Sequence, residues 1–435
     1  MHALVLLALV ASAPEPTRDD APATEPAPVP AASGPRWTRP GWGFGGVPAL
    51  AYNPDNGLTL GVVGNVYDYD GTTAPYKNSI HFLVLFTTKL VQHHDVALDA
   101  IKPFDLPLRL NAEVGFYENL NQNYCGLGPE VTCDDAVATR AAKALGLGGD
   151  ARDAFLRHYY TFPYIEPYAS VNTRWRLNSD DATKLEAQVG WRGSNYITGT
   201  IFDDDKNGQP DFYPYPNSRY AADFPGGEPG FASVFQAGII VDHRDNEPSP
   251  RHGWLVETSV RGAHPVVGSA WSWAGANLTL RGYTPVLGAL DHERRLILAS
   301  RVILDGIVGD PPLIDMARIG GSVGYSGYGG GDLGRGIRGQ RYLGRVKILE
   351  QQEIRWHFYD FEAFDQRFGL ITNLFLDAGL VGRSFDDWGT PALPIGMGGA
   401  FLISWNENFI VRVDVATSSV EGWSPYPYIT LGQSF

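Results

Sequence analysis

The sequence predicts an all-β fold, a transmembrane antiparallel β-barrel of about sixteen strands, and three observations support that fold class. Apolar and polar residues alternate strictly in many stretches, several of which run to the ten or more residues that a tilted strand needs to cross a bilayer. The connections between these stretches are alternately short and long, as in barrels with periplasmic turns and longer outer loops. Finally, the chain ends on an aromatic residue, Phe435, that closes a strand pattern.

The composition fits an exported β protein and argues against two other classes. The chain has 435 residues, 44% of them hydrophobic and 19% charged, with 51 Gly and a formal net charge of −14. A nucleic-acid-binding surface would be basic, so no nucleic-acid partner is expected. Apart from the N-terminal run Ala3–Ala11, no stretch is long and apolar enough for a membrane-spanning helix.

The residues before Trp37 are predicted to lie outside the barrel. The apolar run ends in Ala11-Ser12-Ala13, a sequence typical of signal-peptide cleavage, so residues 1–13 are predicted to direct export through the periplasm to the bacterial outer membrane. Residues 14–36 are rich in Pro, Ala and acidic residues and have no apolar face, which predicts a disordered linker. The barrel is expected to occupy residues 37–435.

The alternation from Trp37 onward predicts strands with one apolar and one polar face. Residues 58–62, 110–117, 184–192 and 409–415 show this pattern. In a soluble sandwich the apolar faces would meet in a core, whereas in a membrane barrel they would meet lipid and the polar faces would line the lumen. Periodicity alone does not separate these two folds, but strand length and the alternation of loop lengths favour the barrel.

A long glycine-rich loop is predicted to fold into the lumen. Ten glycines lie between Gly320 and Gly339, between two strand patterns, and loops of this length are functional or disordered. Arg338 and Gly339 lie near its end, Glu353 lies on the polar face of the next strand, and Asp377 lies on a similar face further on. We expect Arg338 to pair with Asp377, with Glu353 as a second acidic neighbour, because a planar guanidinium binds a carboxylate through two hydrogen bonds. A flexible surface loop is the alternative.

Two other features lie in predicted outer loops. Cys125 and Cys133 are the only cysteines and lie close together in an exported chain, so a structural disulfide is expected, followed by one or two short helices in Asp134–Arg157. A second loop carries oxygen ligands with calcium-loop spacing, at Asp203, Asp205, Asn207 and Asp211. The glutamate of a complete calcium loop is missing, so a weak calcium site and a solvated acidic loop are equally compatible with this segment. No other cofactor is expected.

The sequence contains no catalytic signature. Gly-x-Ser-x-Gly, His-Glu-x-x-His and a phosphate-binding loop are all absent, so an enzyme is not expected. The neighbouring His93 and His94 show no metal-ligand spacing and are interpreted as loop residues.

The first and last strands are predicted to form the weakest junction of the barrel. The first strand, expected in Gly41–Tyr52, is rich in glycine and contains Pro48. The last strand is short, with Pro425 before it and Pro427 at its beginning. Because proline has no amide hydrogen to donate, this junction has fewer hydrogen bonds available than any other.

Four stretches resemble the BamA/TamA family of outer-membrane barrels, also called the bacterial surface antigen family, and they occur in the family's order. They are Asp242-His243-Arg244-Asp245-Asn246 with Pro250 and Gly253, Ile337-Arg338-Gly339, Phe375-x-Asp377-x-Gly379, and Leu431-Gly432-Gln433-Ser434-Phe435. The resemblance implies that they are, in turn, the connection between the eighth and ninth strands, the tip of the sixth outer loop, a motif of the thirteenth strand and a C-terminal assembly signal. The family's aromatic residue after Arg-Gly is replaced here by Gln340.

The resemblance also implies a function without chemistry. Family translocases carry periplasmic POTRA domains, whereas only Pro14–Gly34 precedes this barrel, so a POTRA-less form is expected. It would assist insertion or assembly of outer-membrane proteins, or transport protein or lipid across that membrane. The implied partners are outer-membrane lipid, the machinery that inserts the barrel itself, and client barrel proteins. The alternative is a passive pore or a surface-structural barrel.

Overall fold

The computed structural model describes residues 40–435 except 54–56, 130–132, 181, 199–216, 226, 248, 287–294, 323–324, 364–365, 389–392 and 406–408. Sixteen strands form one antiparallel sheet in which each strand pairs with its neighbours along the chain. The strands, numbered β1–β16 in chain order, are Gly41–Asn53, Gly57–Tyr69, Asn78–Thr87, Val91–Ile101, Leu108–Asn123, Thr161–Arg176, Lys184–Tyr196, Gly230–Asp242, Gly253–Ala263, Ser272–Pro285, Arg295–Asp310, Val346–Ala363, Gln366–Gly382, Ile395–Trp405, Phe409–Ser418 and Tyr426–Leu431.

The described parts of the connections contain four short α-helices. They are α1 (Asp135–Ala144), α2 (Gly149–His158), α3 (Arg219–Asp223) and α4 (Leu313–Ala317). The first two are the helices predicted after the cysteines, and α1 begins where the Asp134 carboxylate accepts a hydrogen bond from the backbone N–H of Ala136. No helix in the described part of the chain is long and apolar enough to cross a membrane.

The two faces of the strands differ as the alternation predicts. Val260 and Leu374 on the outer face are 62% and 66% exposed, whereas Arg355 and Asp377 on the inner face are 1% and 0% exposed. An apolar exterior with charged residues inside is the arrangement of a barrel in lipid, not of a soluble sandwich. The prediction of a membrane barrel with sixteen strands is confirmed.

The long loops lie at one end of the sheet, where odd-numbered strands lead to even-numbered ones. The three longest connect β5 to β6, β7 to β8, and β11 to β12. The predicted disulfide joins Cys125 to Cys133 in the first of these loops. One expectation is wrong: His93 and His94 lie within β4, since the strand begins at Val91.

In the part of the chain that the structure describes, the sheet order runs from β1 to β16. These first and last strands lie beside each other. β16 has only six residues and ends at Leu431, after which Gly432 adopts a positive φ of 78°. The chain then turns inward, and Phe435 is 6% exposed against Tyr283 on the inner face of β10.

Candidate functional site: the lumen loop and the seam

The connection from β11 to β12 folds into the lumen, as predicted. It begins with α4, whose Leu313 and Met316 pack against aromatic residues of the neighbouring outer loops, among them Tyr124 and Tyr220. Further along, Ile319, Tyr328, Leu333 and Ile337 are all buried. A flexible surface loop would leave these apolar side chains exposed, so the apolar residues between the glycines attach the loop to the inner wall.

Arg335 is the loop residue that binds the two acidic side chains of the inner wall, Asp377 and Glu353. Its Nε and Nη2 donate hydrogen bonds to Asp377 Oδ2 and Oδ1 at 2.9 and 2.8 Å, and its backbone N–H donates to Oδ2 at 2.8 Å. Its Nη1 donates to Glu353 Oε1 at 2.5 Å. The guanidinium carbon also lies 3.6 Å from the ring centre of Phe375. The side chains of Arg335, Asp377 and Glu353 are fully buried, so protein groups replace water around all three charges.

The predicted Arg338–Asp377 pair is therefore wrong by three residues. The backbone N–H of Arg338 donates to Glu421 Oε1 at 3.1 Å, and the Gly339 carbonyl accepts a hydrogen bond from Asn123 Nδ2 at 3.4 Å. Both residues lie at the outer mouth instead of on the Asp377 wall. The glycine-rich loop contains two Arg-Gly pairs, and the first, Arg335-Gly336, is followed by the apolar Ile337, which is 0% exposed. The apolar residue after Arg335-Gly336 was the feature of the sequence that could have identified Arg335 as the buried arginine.

Two glycines let Arg335 approach the wall. Gly334 and Gly336 have φ angles of 82° and 86°, in the left-handed region. Gly336 also packs so closely on the backbone of Thr417 in β15 that a side chain would overlap it. Its N–H donates to the hydroxyl of Tyr428 in β16 at 3.0 Å. The loop tip thus contacts β12, β13, β15 and β16 at once.

Three further buried arginines, which the sequence did not single out, hold the loop and the C-terminal tail. Arg412 Nη2 donates to the Gly331 carbonyl at 2.8 Å, and Arg301 Nη1 donates to the Ser434 carbonyl at 3.1 Å. Arg355 Nη2 donates to the main-chain oxygen of Phe435 at 2.8 Å. The Phe435 ring lies 4.7 and 4.9 Å from the guanidinium carbons of Arg301 and Arg355. The tail is held inside the barrel by charged groups of the wall.

The turn predicted between the eighth and ninth strands connects β8 to β9 and is internally bonded. Arg244 donates to both carboxylate oxygens of Asp242, at 2.9 and 2.8 Å. The Asp245 side chain accepts a hydrogen bond from the backbone N–H of Arg251 at 2.9 Å, and the Asn246 side chain accepts one from that of Ser249 at 3.4 Å. Pro250 is buried, and Gly253 has a positive φ of 102°.

The same turn places Glu247 against Arg109, a contact that no motif indicated. Arg109 Nη1 donates to both Glu247 oxygens at 2.7 Å. Burial alone would raise the pKa of Glu247, but Arg109, Arg174 and Arg244 hold it below its ordinary value. These contacts attach the turn to the inner wall at the end opposite the outer loops.

The predicted calcium ligands Asp203, Asp205, Asn207 and Asp211 lie outside the described residues, and weak calcium binding there stays a prediction. Within the described part of the chain, no group of three or more His, Cys, Asp or Glu side chains is arranged to hold a metal ion.

Comparison with known proteins identifies the class of this barrel. Residues 159–398, more than half of the chain, match the Omp85 superfamily domain. The protein belongs to the Omp85 superfamily, and it is a non-enzymatic, integral barrel of the bacterial outer membrane. The resemblance to BamA/TamA barrels is confirmed at this level.

Two solved structures align with this chain at low sequence identity. CdiB from Escherichia coli aligns with a TM-score of 0.54 and 10% identity, covering 90% of this chain and 61% of that chain. BamA from Haemophilus ducreyi lacking POTRA domains 1–3 aligns with a TM-score of 0.48 and 12% identity, covering 91% and 70%. No curated protein matches the sequence.

Proposed function

We propose that the barrel inserts or assembles other β-barrel proteins in the outer membrane by opening between β1 and β16. The observation that supports this function is the composition of the two strands that meet at this junction, since β16 has only six residues and Pro427 and Pro48 lack an amide hydrogen. A barrel built only to conduct solutes gains nothing from a weakened junction, because unpaired backbone groups in lipid each cost several kcal/mol.

The residues at the junction favour parting there. Pro48 in β1 and Pro427 in β16 have no amide hydrogen to donate across it, and β16 is much shorter than its neighbours. Once parted, the strands present backbone edges that an incoming strand can extend by β-augmentation. This would let a client acquire its first hydrogen-bonded partner inside the membrane.

The lumen loop makes the two sides of the junction unequal. Gly336 is hydrogen-bonded to Tyr428 of β16, and Arg335 ties the same loop to β12 and β13. The β16 side is therefore braced from within. We expect β1 and the strands after it to move during opening.

The passive pore is kept as the second candidate because cavities remain in the lumen. One of about 690 Å³ is lined by Tyr76, Arg109 and Phe435, among others, and one of about 470 Å³ is lined by Tyr117, Glu166 and Arg318, among others. The loop and the C-terminal tail occupy the side of the lumen beside β11–β16.

Reconstitution separates the two candidates. The purified barrel in phospholipid vesicles should accelerate folding of a urea-denatured eight-stranded barrel, scored by protease protection, over vesicles that hold the same mass of a closed barrel. A deletion strain should correspondingly lose specific outer-membrane proteins. Ionic conductance without faster client folding, together with an unchanged outer-membrane profile of the strain, would favour the passive pore.

A further inference from the structure

The outer face of β11 and β12 carries a row of hydrogen-bonded polar side chains. Ser300 Oγ donates to Gln352 Oε1 at 2.5 Å, and Gln352 Nε2 donates to Glu350 Oε1 at 3.0 Å. In the ladder, Ser300 lies directly opposite Gln352, and Val302 lies directly opposite Glu350. Glu350 is exposed, so a carboxylate faces the surroundings of the barrel.

This row lies within the lipid-facing belt. Phe385 packs over Gly306, and Gly306 lies opposite Val346, so these residues mark the outer edge of the belt. Trp356, which is 45% exposed, marks the edge nearer the periplasmic turns. With a rise of about 3.3 Å per residue and a strand tilt of about 40°, Glu350 lies roughly 10 Å from the level of Val346 and roughly 15 Å from that of Trp356. Its outward-facing neighbours are the exposed Leu298, Leu304, Ile348, Ile354, Leu374 and Leu376.

An apolar groove opens beside the row, on the same outer face. Its floor consists of residues with small or no side chains, namely Gly262, Ala274, Ala276 and Gly306, in which Gly262 is opposite Ala274 and Ala276 is opposite Gly306. Phe235, Val260, Val308 and Phe385 border it, and its volume is about 1490 Å³. Ile348 lines the groove and lies two residues from Glu350 on the same face of β12, so the groove and the row form one surface.

We propose that this surface binds a membrane-embedded segment of a partner protein that is apolar except for one hydrogen-bond donor or positive charge facing Glu350. Ionisable residues within the membrane are rare and mark functional contacts, because hydrocarbon offers a carboxylate no donor. Gln352 satisfies one oxygen of Glu350, and the partner's donor satisfies the other. The floor of small residues lets an apolar segment approach the wall closely.

Charge and depth distinguish this occupant from the two obvious alternatives. Lipid acyl chains carry no donor, and anionic headgroups remain at the interface, roughly 10 Å from Glu350 by the strand geometry above. A second copy in the same membrane orientation is related by an axis along the membrane normal. That symmetry places the two Glu350 carboxylates at the same depth, where like charges repel.

Site-specific crosslinking in cells that express the full chain tests this proposal. A photoreactive residue replaces Val302, beside Glu350, or, as a control, Val96, a lipid-facing residue of β4 that is 51% exposed. We expect an adduct with a distinct membrane protein at Val302 and not at Val96. In Glu350→Leu the adduct should weaken roughly tenfold, as for the loss of one hydrogen bond to a charged group.

A second variant and a folding measurement complete the test. Glu350→Gln removes only the charge and should weaken the adduct less than Glu350→Leu, while the heat-modifiable mobility of both barrels stays unchanged. An adduct at twice the mass of this chain, adducts with lipid only, no adduct, or a protein adduct of equal yield in both variants would each overturn the proposal.

Discussion

Arg335 and Asp377 form a fully buried ion pair in which both carboxylate oxygens accept a guanidinium hydrogen bond, at 2.8 and 2.9 Å. The pair joins a loop rich in glycine to the thirteenth strand, and Glu353 extends the contact to the twelfth. A loop with so many glycines has high conformational entropy when free, so the pair and the buried apolar residues beside it must overcome that entropy.

The first prediction concerns this pair. Arg335→Ala and Asp377→Ala should each lower the free energy of unfolding by about 3–5 kcal/mol, because each leaves a buried charge without its partner. The double variant should lose less than the sum of the two. Urea unfolding in detergent micelles measures this, and Arg338→Ala in the same loop is the control with a smaller expected loss. Additive losses would contradict the contact.

The second prediction concerns the C-terminal residue. Phe435→Ala should lower the free energy of unfolding by about 3–5 kcal/mol, because it removes a buried ring from Tyr283 and two guanidinium groups. Val413→Ala, on the lipid face of the neighbouring strand β15, is the matched control. If the terminus is also an assembly signal, deletion of Phe435 should leave protein that is synthesised normally but degraded in the periplasm. Normal amounts of heat-modifiable barrel after that deletion would exclude the signal.

The third prediction concerns Glu228 in the connection between β7 and β8, which binds the lumen loop by accepting a hydrogen bond from the backbone N–H of Leu313 at 2.9 Å. Burial raises its pKa from 4.5 to about 7, and the nearby Asp315 adds to the rise. In this window the folded protein holds a proton that the unfolded chain has released, so stability falls as pH rises from about 4.5 to 7. Urea midpoints at pH 5 and pH 8 should differ more in the wild type than in Glu228→Gln. Equal differences would show that another group titrates.

Most of the fold was predictable because it depends on periodicity, which the sequence shows directly. The alternation gave the outer and inner faces, and loop lengths gave the end at which the long connections lie. The position of Asp377 was predictable for the same reason, since its strand fixes which way it faces. The barrel class follows from these features without any long-range information.

The sequence predicts that an arginine of the loop binds Asp377, but it does not show which arginine. Within a glycine-rich segment neither face nor period is defined, so sequence distinguishes Arg335 from Arg338 only through the apolar Ile337 that follows the first Arg-Gly pair. The inward turn of the C-terminal tail could not be predicted from the sequence either, because it depends on Arg301 and Arg355 from distant strands. Contacts such as Arg109–Glu247 join residues 138 positions apart and leave no local pattern.

The central claim, opening between β1 and β16, is tested most directly by locking that junction. One cysteine in Val47–Tyr52 and one in Tyr428–Leu431 would be paired across it, with Cys125 and Cys133 left in place. The control pair, Phe401→Cys with Val413→Cys, locks two residues that are already directly opposite in a continuous ladder. Client folding in vesicles is measured for both, oxidised and reduced, beside the wild type treated identically. We predict that the oxidised disulfide between β1 and β16 abolishes the acceleration and that reduction restores it, while the control disulfide has no effect. Full acceleration by the barrel with the oxidised β1–β16 disulfide would contradict lateral opening.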